Sequence, residues 1–478
     1  MRNLTLLTDL YQITMGYGFF KHGKHEEEVV FDLFFRRNKM ITYSLAAGLE
    51  QAIDYLLNWH FTKEDIEYLR GLKLFDEEFL AYLQNMKFTG DVYAVKEGEP
   101  VFPGEPILTV KAPLIQAQFA ETALLNIINH QTLIATKSSK ICRSAGKGVV
   151  MEFGLRRAQA PDAGIYGARA AIIGGCASTS NVIAGQMFNV PVAGTMAHSW
   201  VMDYDSELEA FRAYAESYPD NCLLLVDTFD TIRSGVPNAI TVFKELAAKG
   251  HRPKGIRLDS GDFAYLSKKA RKMLDEAGFE DAIICASGDL DEYSINSLLQ
   301  QGAKIDSWGV GTKLITSESM PALGGVYKMG AIIKEDGTQV PKIKLSDNSE
   351  KITNPGFKNL YRLYDKTSGM AIADLITLRE EEIDENKPLT IFHPIETWKK
   401  VTVENFRAVP LHQTIVSQGK LVYEFPPITQ VREFSKSELS KLWEEYLRLD
   451  MPQLYKVDLS PKLYELKTQM IDLHRKEK

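Results

Sequence analysis

The chain has 478 residues, 45% of them apolar and 25% charged, with a formal net charge of −7. That length exceeds what one hydrophobic core serves, and no long basic run is present to meet a nucleic-acid backbone. There is no run of 18 apolar residues, and the N-terminal stretch NLTLLTDLY lacks the basic-then-apolar order of a secretion signal, so neither a membrane span nor export is expected.

Residues 1–135 mix both element types and are expected to form an N-terminal α+β domain. VVFDLFFRR alternates like a strand, and SLAAGLEQAIDYLLNW has helical spacing. GDVYAVKEGEPVFPGEPILTVKAP sets short strands between Gly and Pro turns, as a small β-rich subdomain would. AQFAETALLNIINHQTLIATKSSKICRSAG reads as one long helix. Residues 136–340 are expected to form the next domain. Between roughly Val149 and Ile315 the chain repeats a unit of about 30 residues, an apolar run ending in polar groups and in most cases followed by a helical segment. The runs are GVVMEFGLRR, PVAGTMAHS, CLLLVDTFDT, GIRLDSGD, AIICASGDLD and IDSWGVGTK. ITVFKELAAKG, LSKKARKMLDEAG and YSINSLLQQG each close on a glycine, Gly250, Gly278 or Gly302, suited to a left-handed helix end. This rhythm predicts an α/β fold built as a (β/α) barrel or an open parallel sheet, buried on both faces. Residues 341–478 are charged and turn-rich, with short strands and an amphipathic helical tail from Lys436 to Lys478. The four cysteines, Cys142, Cys176, Cys222 and Cys285, lack CxxC spacing. They read as thiols in a reducing, cytoplasmic compartment rather than as disulfides or zinc ligands.

Polar groups gather where the apolar runs end: Arg156, Arg157, His198, Asp227, Asp230, Arg257, Asp259, Asp262, Asp289 and Thr312. A single acid there can cap the next helix, and a single histidine can satisfy a nearby carbonyl. Several converging with arginines point instead to an enzyme with its site on the C-terminal face of the sheet. The acid pairs Asp227/Asp230 and Asp259/Asp262 suit Mg²⁺, which takes a few carboxylates plus phosphate oxygens. LDSGD, ASGD and GVGT put small residues where backbone N–H groups can approach phosphate. Arg156, Arg157 and Arg257 can clamp phosphate or carboxylate. The substrate class is anionic and phosphorylated; no His/Asp cluster has the spacing of a zinc hydrolase. LLLVDTFDT lacks the adjacent acids and Thr-Gly loop of the common phosphoribosyltransferases, so that fold is not expected.

TDLYQITM (8–15), EFGLRRAQAPDAGIYGARAAIIGGCASTSNV (152–182), GTMAHSWV (194–201), DTFDT, GIRLDSGD, ASGDLDE, GVGTKL and KLSDNSEKITNPG (344–356) together resemble nicotinate phosphoribosyltransferase, up to about residue 425. The resemblance implies an irregular (β/α) barrel with an N-terminal α+β domain and a smaller C-terminal region. It implies formation of nicotinate mononucleotide and pyrophosphate from nicotinate and phosphoribosyl pyrophosphate, coupled to ATP hydrolysis. It also implies Mg²⁺ and a homodimer with composite sites. The family's phosphorylated histidine falls on His198, with Asp227 and Asp259 as metal or ribose contacts. Gly288, Asp289, Gly311 and Thr312, with Arg257 and Asp259, fall on phosphoribosyl pyrophosphate. For nicotinate the resemblance points to Tyr11 from the partner subunit, Arg156, Ser180, Thr195 and Arg257. Lys328, Lys344 and Lys351 are candidates for ATP phosphates.

Three alternatives stay open at this level. A nicotinamide-using relative carries an Asp in a Gly-Thr-Asp segment, and here Ser180 stands where that Asp would fall. A quinolinate-using relative needs no phosphorylatable histidine and would want a more basic pocket. A non-catalytic phosphate-binding barrel would have lost His198 or the strand-end acids, and this chain retains them.

Overall fold

The computed structural model describes residues 3–37, 42–396 and 398–476; the last two residues of the predicted tail lie outside them. The chain divides into two compact units. One is drawn from residues up to Leu133, Ala322–Pro426 and Phe434 onward, the other from Ile134–Pro321 and Pro427–Glu433.

The first unit contains an antiparallel seven-stranded sheet. Its order is Gln339–Pro341, Gly325–Ile333, Glu28–Phe35, Leu108–Pro113, Asp91–Ala94, Gln413–Ser417 and Lys420–Leu421. Glu28–Phe35 is buried at nearly every position rather than at alternate ones. It lies inside the sheet, paired on both edges. Two strands of the Gly- and Pro-rich stretch, Asp91–Ala94 and Leu108–Pro113, belong to this larger sheet rather than to the small subdomain expected, while Pro100–Val101 pairs with Ser44–Leu45 in a separate two-stranded sheet. A second sheet carries, in order, Lys400–Val403, Leu389–Phe392, Val457–Leu459, Ala371–Leu378, Lys358–Asp365 and Phe406–Pro410. Val457–Leu459 corrects the wholly helical tail: it pairs in parallel with Ala371–Leu378, between the helices Ile428–Leu439 and Pro461–Lys476. Buried ion pairs tie the C-terminal region to the N-terminal one. Arg362 reaches Glu99 and Asp374 at 2.5 and 2.6 Å, and Lys358 reaches Asp32 at 2.8 Å. Stripping either partner would leave a buried charge, at a cost of roughly 3–5 kcal/mol.

The second unit is α/β. Its six parallel strands run in the order Ser178–Thr179, Val149–Glu152, Ser307–Val310, Ile283–Gly288, Gly255–Leu258 and Leu223–Leu225. A parallel bridge from Thr179 to Val192 extends one edge, and among the described residues no pairing joins the two ends. The predicted helices are Val236–Ala248, Phe263–Glu276 and Glu292–Gln300. Gly250, Gly278 and Gly302 after them have φ of 85°, 86° and 77°, the left-handed closure that their sequence positions implied. Because all six strands are parallel, their C-terminal ends share one edge of the sheet, where the polar groups collect.

A π-helical turn, Thr231–Gly235, leads into Val236–Ala248. A Cβ on Gly235 would lie 1.8 Å from the Val226 carbonyl oxygen. Glycine there lets the turn close onto the strand end that presents Asp227.

No helix among the described residues is long and apolar enough to cross a membrane. All four cysteines are free, and Cys176, Cys222 and Cys285 are buried.

Candidate active site

The segment before His198 is less strand-like than its sequence. Pro191–Ala193 makes only the edge contacts Thr179 N–H to Pro191 O, 3.1 Å, and Ala193 N–H to Thr179 O, 3.0 Å. Gly194–Ala197 then forms a loop, and His198 is the first residue of the short helix His198–Met202. The imidazole is held by side chains from two neighbouring strand ends. Nδ1 lies 3.1 Å from the Thr228 hydroxyl, and Nε2 lies 3.8 Å from Asp259 Oδ2. It is 40% exposed, open to a substrate and still fixed in orientation.

Asp259 follows the strand Gly255–Leu258, which carries Arg257. Arg257 donates from Nη2 to Asp259 Oδ1 (2.7 Å), from Nη1 to Thr195 Oγ1 (2.9 Å) and Met196 O (3.3 Å), and from Nε to Ser287 Oγ (2.7 Å). Ser287 in turn donates to Asp259 Oδ1 at 2.5 Å. Burial works to raise the Asp259 pKa, but the Ser287 and Arg257 hydrogen bonds and the nearby positive charge hold it below the ordinary carboxylate value. Asp227 accepts the Asp259 N–H and the Ser260 hydroxyl at 2.8 Å each, both on Oδ2. Its Oδ1 is buried and has no hydrogen-bond partner among the described residues. An ionised oxygen in that state is costly unless a cation or donor joins it.

The acid pairs expected to share a metal are divided by local capping. Asp230 Oδ1 accepts the N–H groups of Ile232 and Arg233 at 3.1 and 2.8 Å, and Asp262 caps Phe263–Glu276 through Tyr265 N–H at 3.0 Å. Among the described residues no three His, Cys, Asp or Glu side chains form a metal-holding group. Asp227 and Asp259 are thus the acids left at the centre.

The neighbouring strand ends supply the rest. Gly288 has φ 134° and comes so close to Asp259 that a Cβ would sit 2.9 Å from its carbonyl oxygen; Asp289 beside it is exposed. Gly311 and Thr312 open the short helix Thr312–Ile315. Arg156 and Arg157 lie exposed on the turn Leu155–Arg157. Ser180 is half-buried after Ser178–Thr179, and the next residue, Asn181, is a fully buried helix cap that accepts Ala184 N–H and donates to Gly164 O. The other expected residues belong to the first unit. Tyr11 is 49% exposed on the helix Leu10–Lys21, Lys328 sits on Gly325–Ile333 with Nζ 3.7 Å from Glu121, and Lys344 and Lys351 are exposed in the loop that follows.

Five residues at this centre escaped the sequence reading: Glu152, Phe153, Thr228, Ser260 and Ser287. Each lies inside a motif already singled out, so the signal was proximity to the strand end. Glu152 is fully buried, accepts the Thr179 hydroxyl at 2.6 Å and the Gly154 N–H, and has a pKa raised by burial. Phe153 packs on Gly309, with the Arg257 guanidinium 6.0 Å from its ring centre.

Comparison with known proteins gives family matches over most of the chain. Residues 6–129 match the nicotinate phosphoribosyltransferase (NAPRTase) N-terminal domain, 149–368 the nicotinate phosphoribosyltransferase (NAPRTase) family, and 357–467 the nicotinate phosphoribosyltransferase C-terminal domain. Nicotinate phosphoribosyltransferase of Bacillus subtilis (strain 168) is 52% identical over 98% of this chain and 95% of its own length. The Dictyostelium discoideum protein of the same name is 37% identical over 96% of this chain and 87% of its own. A crystal structure of human nicotinic acid phosphoribosyltransferase superposes with a TM-score of 0.86 at 30% identity, covering 97% of this chain and 99% of that one.

Proposed function

The chain belongs to the nicotinate phosphoribosyltransferase family, and from that premise we propose that it joins nicotinate to phosphoribosyl pyrophosphate, with ATP as co-substrate and His198 as carrier of the γ-phosphate. The convergence of His198, Arg257 and Asp227 on Asp259 at one sheet edge, at 3.8, 2.7 and 2.8 Å, is what supports it most directly.

A lone pair of the His198 ring attacks the γ-phosphorus, a P–N bond forms, and the bond to the ADP oxygen breaks. Thr228 steadies the ring, and the Asp259 carboxylate balances the positive charge that the ring acquires. Water later takes the phosphoryl group as inorganic phosphate. In the transfer step the pyridine nitrogen of nicotinate attacks the ribosyl C1 as the C1–O bond to pyrophosphate breaks. The cation-like ribosyl group is favoured by the carboxylates of Asp227 and Asp259. The partnerless Oδ1 of Asp227, with Asp259 beside it, fits Mg²⁺, which when bound neutralises pyrophosphate charge. Gly288, Asp289, Gly311 and Thr312 would hold the ribose 5-phosphate and hydroxyls through backbone N–H groups and short side chains.

Arg257, Thr195 and Ser180 would receive the nicotinate carboxylate, with Arg156 across the ring. Nicotinamide is the poorer fit. An amide reader gains from a carboxylate acceptor where Ser180 offers only a neutral hydroxyl, and the neighbouring Asn181 side chain is consumed as a cap. Tyr11 would come from a second copy of the chain. Exposed Leu7, Leu10, Tyr11 and Met15 near the first helix form an apolar stripe that a homodimer would cover. The six-stranded sheet, lengthened by the Val192 bridge, would form most of the wall of an irregular barrel. Free thiols suit a cytoplasmic enzyme. Lys344 and Lys351 would meet ATP phosphates; Lys328, already beside Glu121, is the weaker of the three.

The test is incubation with γ-labelled ATP, with and without nicotinate and phosphoribosyl pyrophosphate. Acid-labile label on the protein, lost in His198→Ala, together with turnover of nicotinate but little of nicotinamide, is the expected result. Product formed at full rate without ATP would remove His198 from the reaction.

A further inference from the structure

Arginine and carboxylate side chains commonly meet side-on, Nε and one Nη against the two oxygens, because the fork matches the carboxylate in width. Arg257 and Asp259 are two residues apart and in contact, yet they do not meet this way. Only Nη2 touches the carboxylate, and it uses Oδ1 alone, at 2.7 Å. The Nε hydrogen that would complete the fork goes to Ser287 Oγ at 2.7 Å. Ser287 is 2% exposed on Ile283–Gly288, the strand hydrogen-bonded in parallel to Gly255–Leu258. Its hydroxyl has one hydrogen to give and gives it to Asp259 Oδ1 at 2.5 Å. The hydroxyl is therefore wedged between the guanidinium and the carboxylate, saturating one edge of each.

Two consequences follow for the groups that face substrate. With Oδ1 taken by Ser287 and Arg257, Asp259 keeps Oδ2 directed at His198 Nε2, 3.8 Å away. With Nε held by Ser287, the guanidinium keeps Nη1 turned to Thr195 at 2.9 Å. A side-on fork would draw both carboxylate oxygens onto Arg257 and swing Nη1 off Thr195. We propose that Ser287 is a positioning residue that prevents Arg257 and Asp259 from collapsing into a closed bidentate pair, and so keeps one oxygen of Asp259 facing His198 and holds Arg257 Nη1 on Thr195 and Met196. The consequence for activity rests on the proposed transferase function; the geometry does not.

Two measurements on the full chain separate the two. A crystal structure of Ser287→Ala should show both Asp259 oxygens on Arg257 and Asp259 Oδ2 withdrawn from His198. An unchanged single-oxygen contact would overturn the proposal whatever the protein catalyses. In assays with nicotinate, phosphoribosyl pyrophosphate and ATP, Ser287→Ala should lower kcat/KM by roughly 10- to 100-fold, the range for losing a hydrogen bond to a charged group, and should lower the acid-labile label on His198. In an Arg257→Lys background, where a point charge cannot make the fork, the same change should cost less than about twofold. An equal loss in both backgrounds would reduce Ser287 to ordinary packing and refute its positioning role.

Discussion

Gly235→Ala isolates how a fold detail remote from substrate governs the proposed chemistry. Gly235 has an ordinary right-handed helical φ of −57°, so an alanine there suffers no backbone strain of its own. The added Cβ would instead lie 1.8 Å from Val226 O and 2.7 Å from Val226 C. An ordinary C···O approach is about 3.3 Å, so turn and strand must part by roughly 1.5 Å. Backbone faces backbone at this contact, and no side-chain rotation relieves it. Overpacking of this kind costs about 1–3 kcal/mol. The larger effect is kinetic, because Val226 directly precedes Asp227, which orders Asp259 and Ser260. A misplacement near 1 Å costs roughly 10²-fold in rate. Gly250→Ala serves as the control: its φ of 85° makes alanine unfavourable by about 1 kcal/mol, but among the described residues nothing beyond its chain neighbours would lie within 4 Å of the added Cβ. Thermal melts and steady-state kinetics on both variants should show similar losses of stability and a loss of kcat/KM confined to Gly235→Ala. Equal kcat/KM in the two variants would refute the link between this turn and the site.

Ser180→Asp should depress nicotinate use and improve nicotinamide use, because a half-buried carboxylate repels the acid and accepts from the amide. A change of roughly tenfold or more in the ratio of the two kcat/KM values is expected, and an unchanged ratio would reject the specificity assignment. His412 provides a pH test of the first unit. Burial pushes its pKa down to about 4, with Nε2 on Pro106 O at 2.5 Å. The unfolded imidazole takes up a proton near its usual value of about 6.5 while the folded one resists until about 4. Stability tied to His412 is therefore complete above pH 6.5 and lost as pH falls toward 4. Melting temperature should fall less over that interval in His412→Met than in the parent chain, and parallel curves would refute this.

Local sequence determined much of this protein. Five of the six apolar runs became strands, the helices between them closed on Gly250, Gly278 and Gly302 in the left-handed conformation, and every residue of the candidate centre lies in or beside a motif readable along the chain. These features are legible because they depend on neighbours a few residues away. An acid after a strand, however, looks the same whether it caps a helix or faces a substrate. Only the folded positions separated Asp230 and Asp262, consumed by N–H groups two and three residues on, from Asp227 and Asp259. The same holds for Ser287, whose partners lie 28 and 30 residues away on an adjacent strand. Gly325–Ile333 pairs with Glu28–Phe35 across nearly three hundred residues, which is why the C-terminal region completes the first unit. Such pairings are set by burial and hydrogen-bond satisfaction over the whole chain, after the entropy of closing a long loop has been overcome, and no local pattern encodes them.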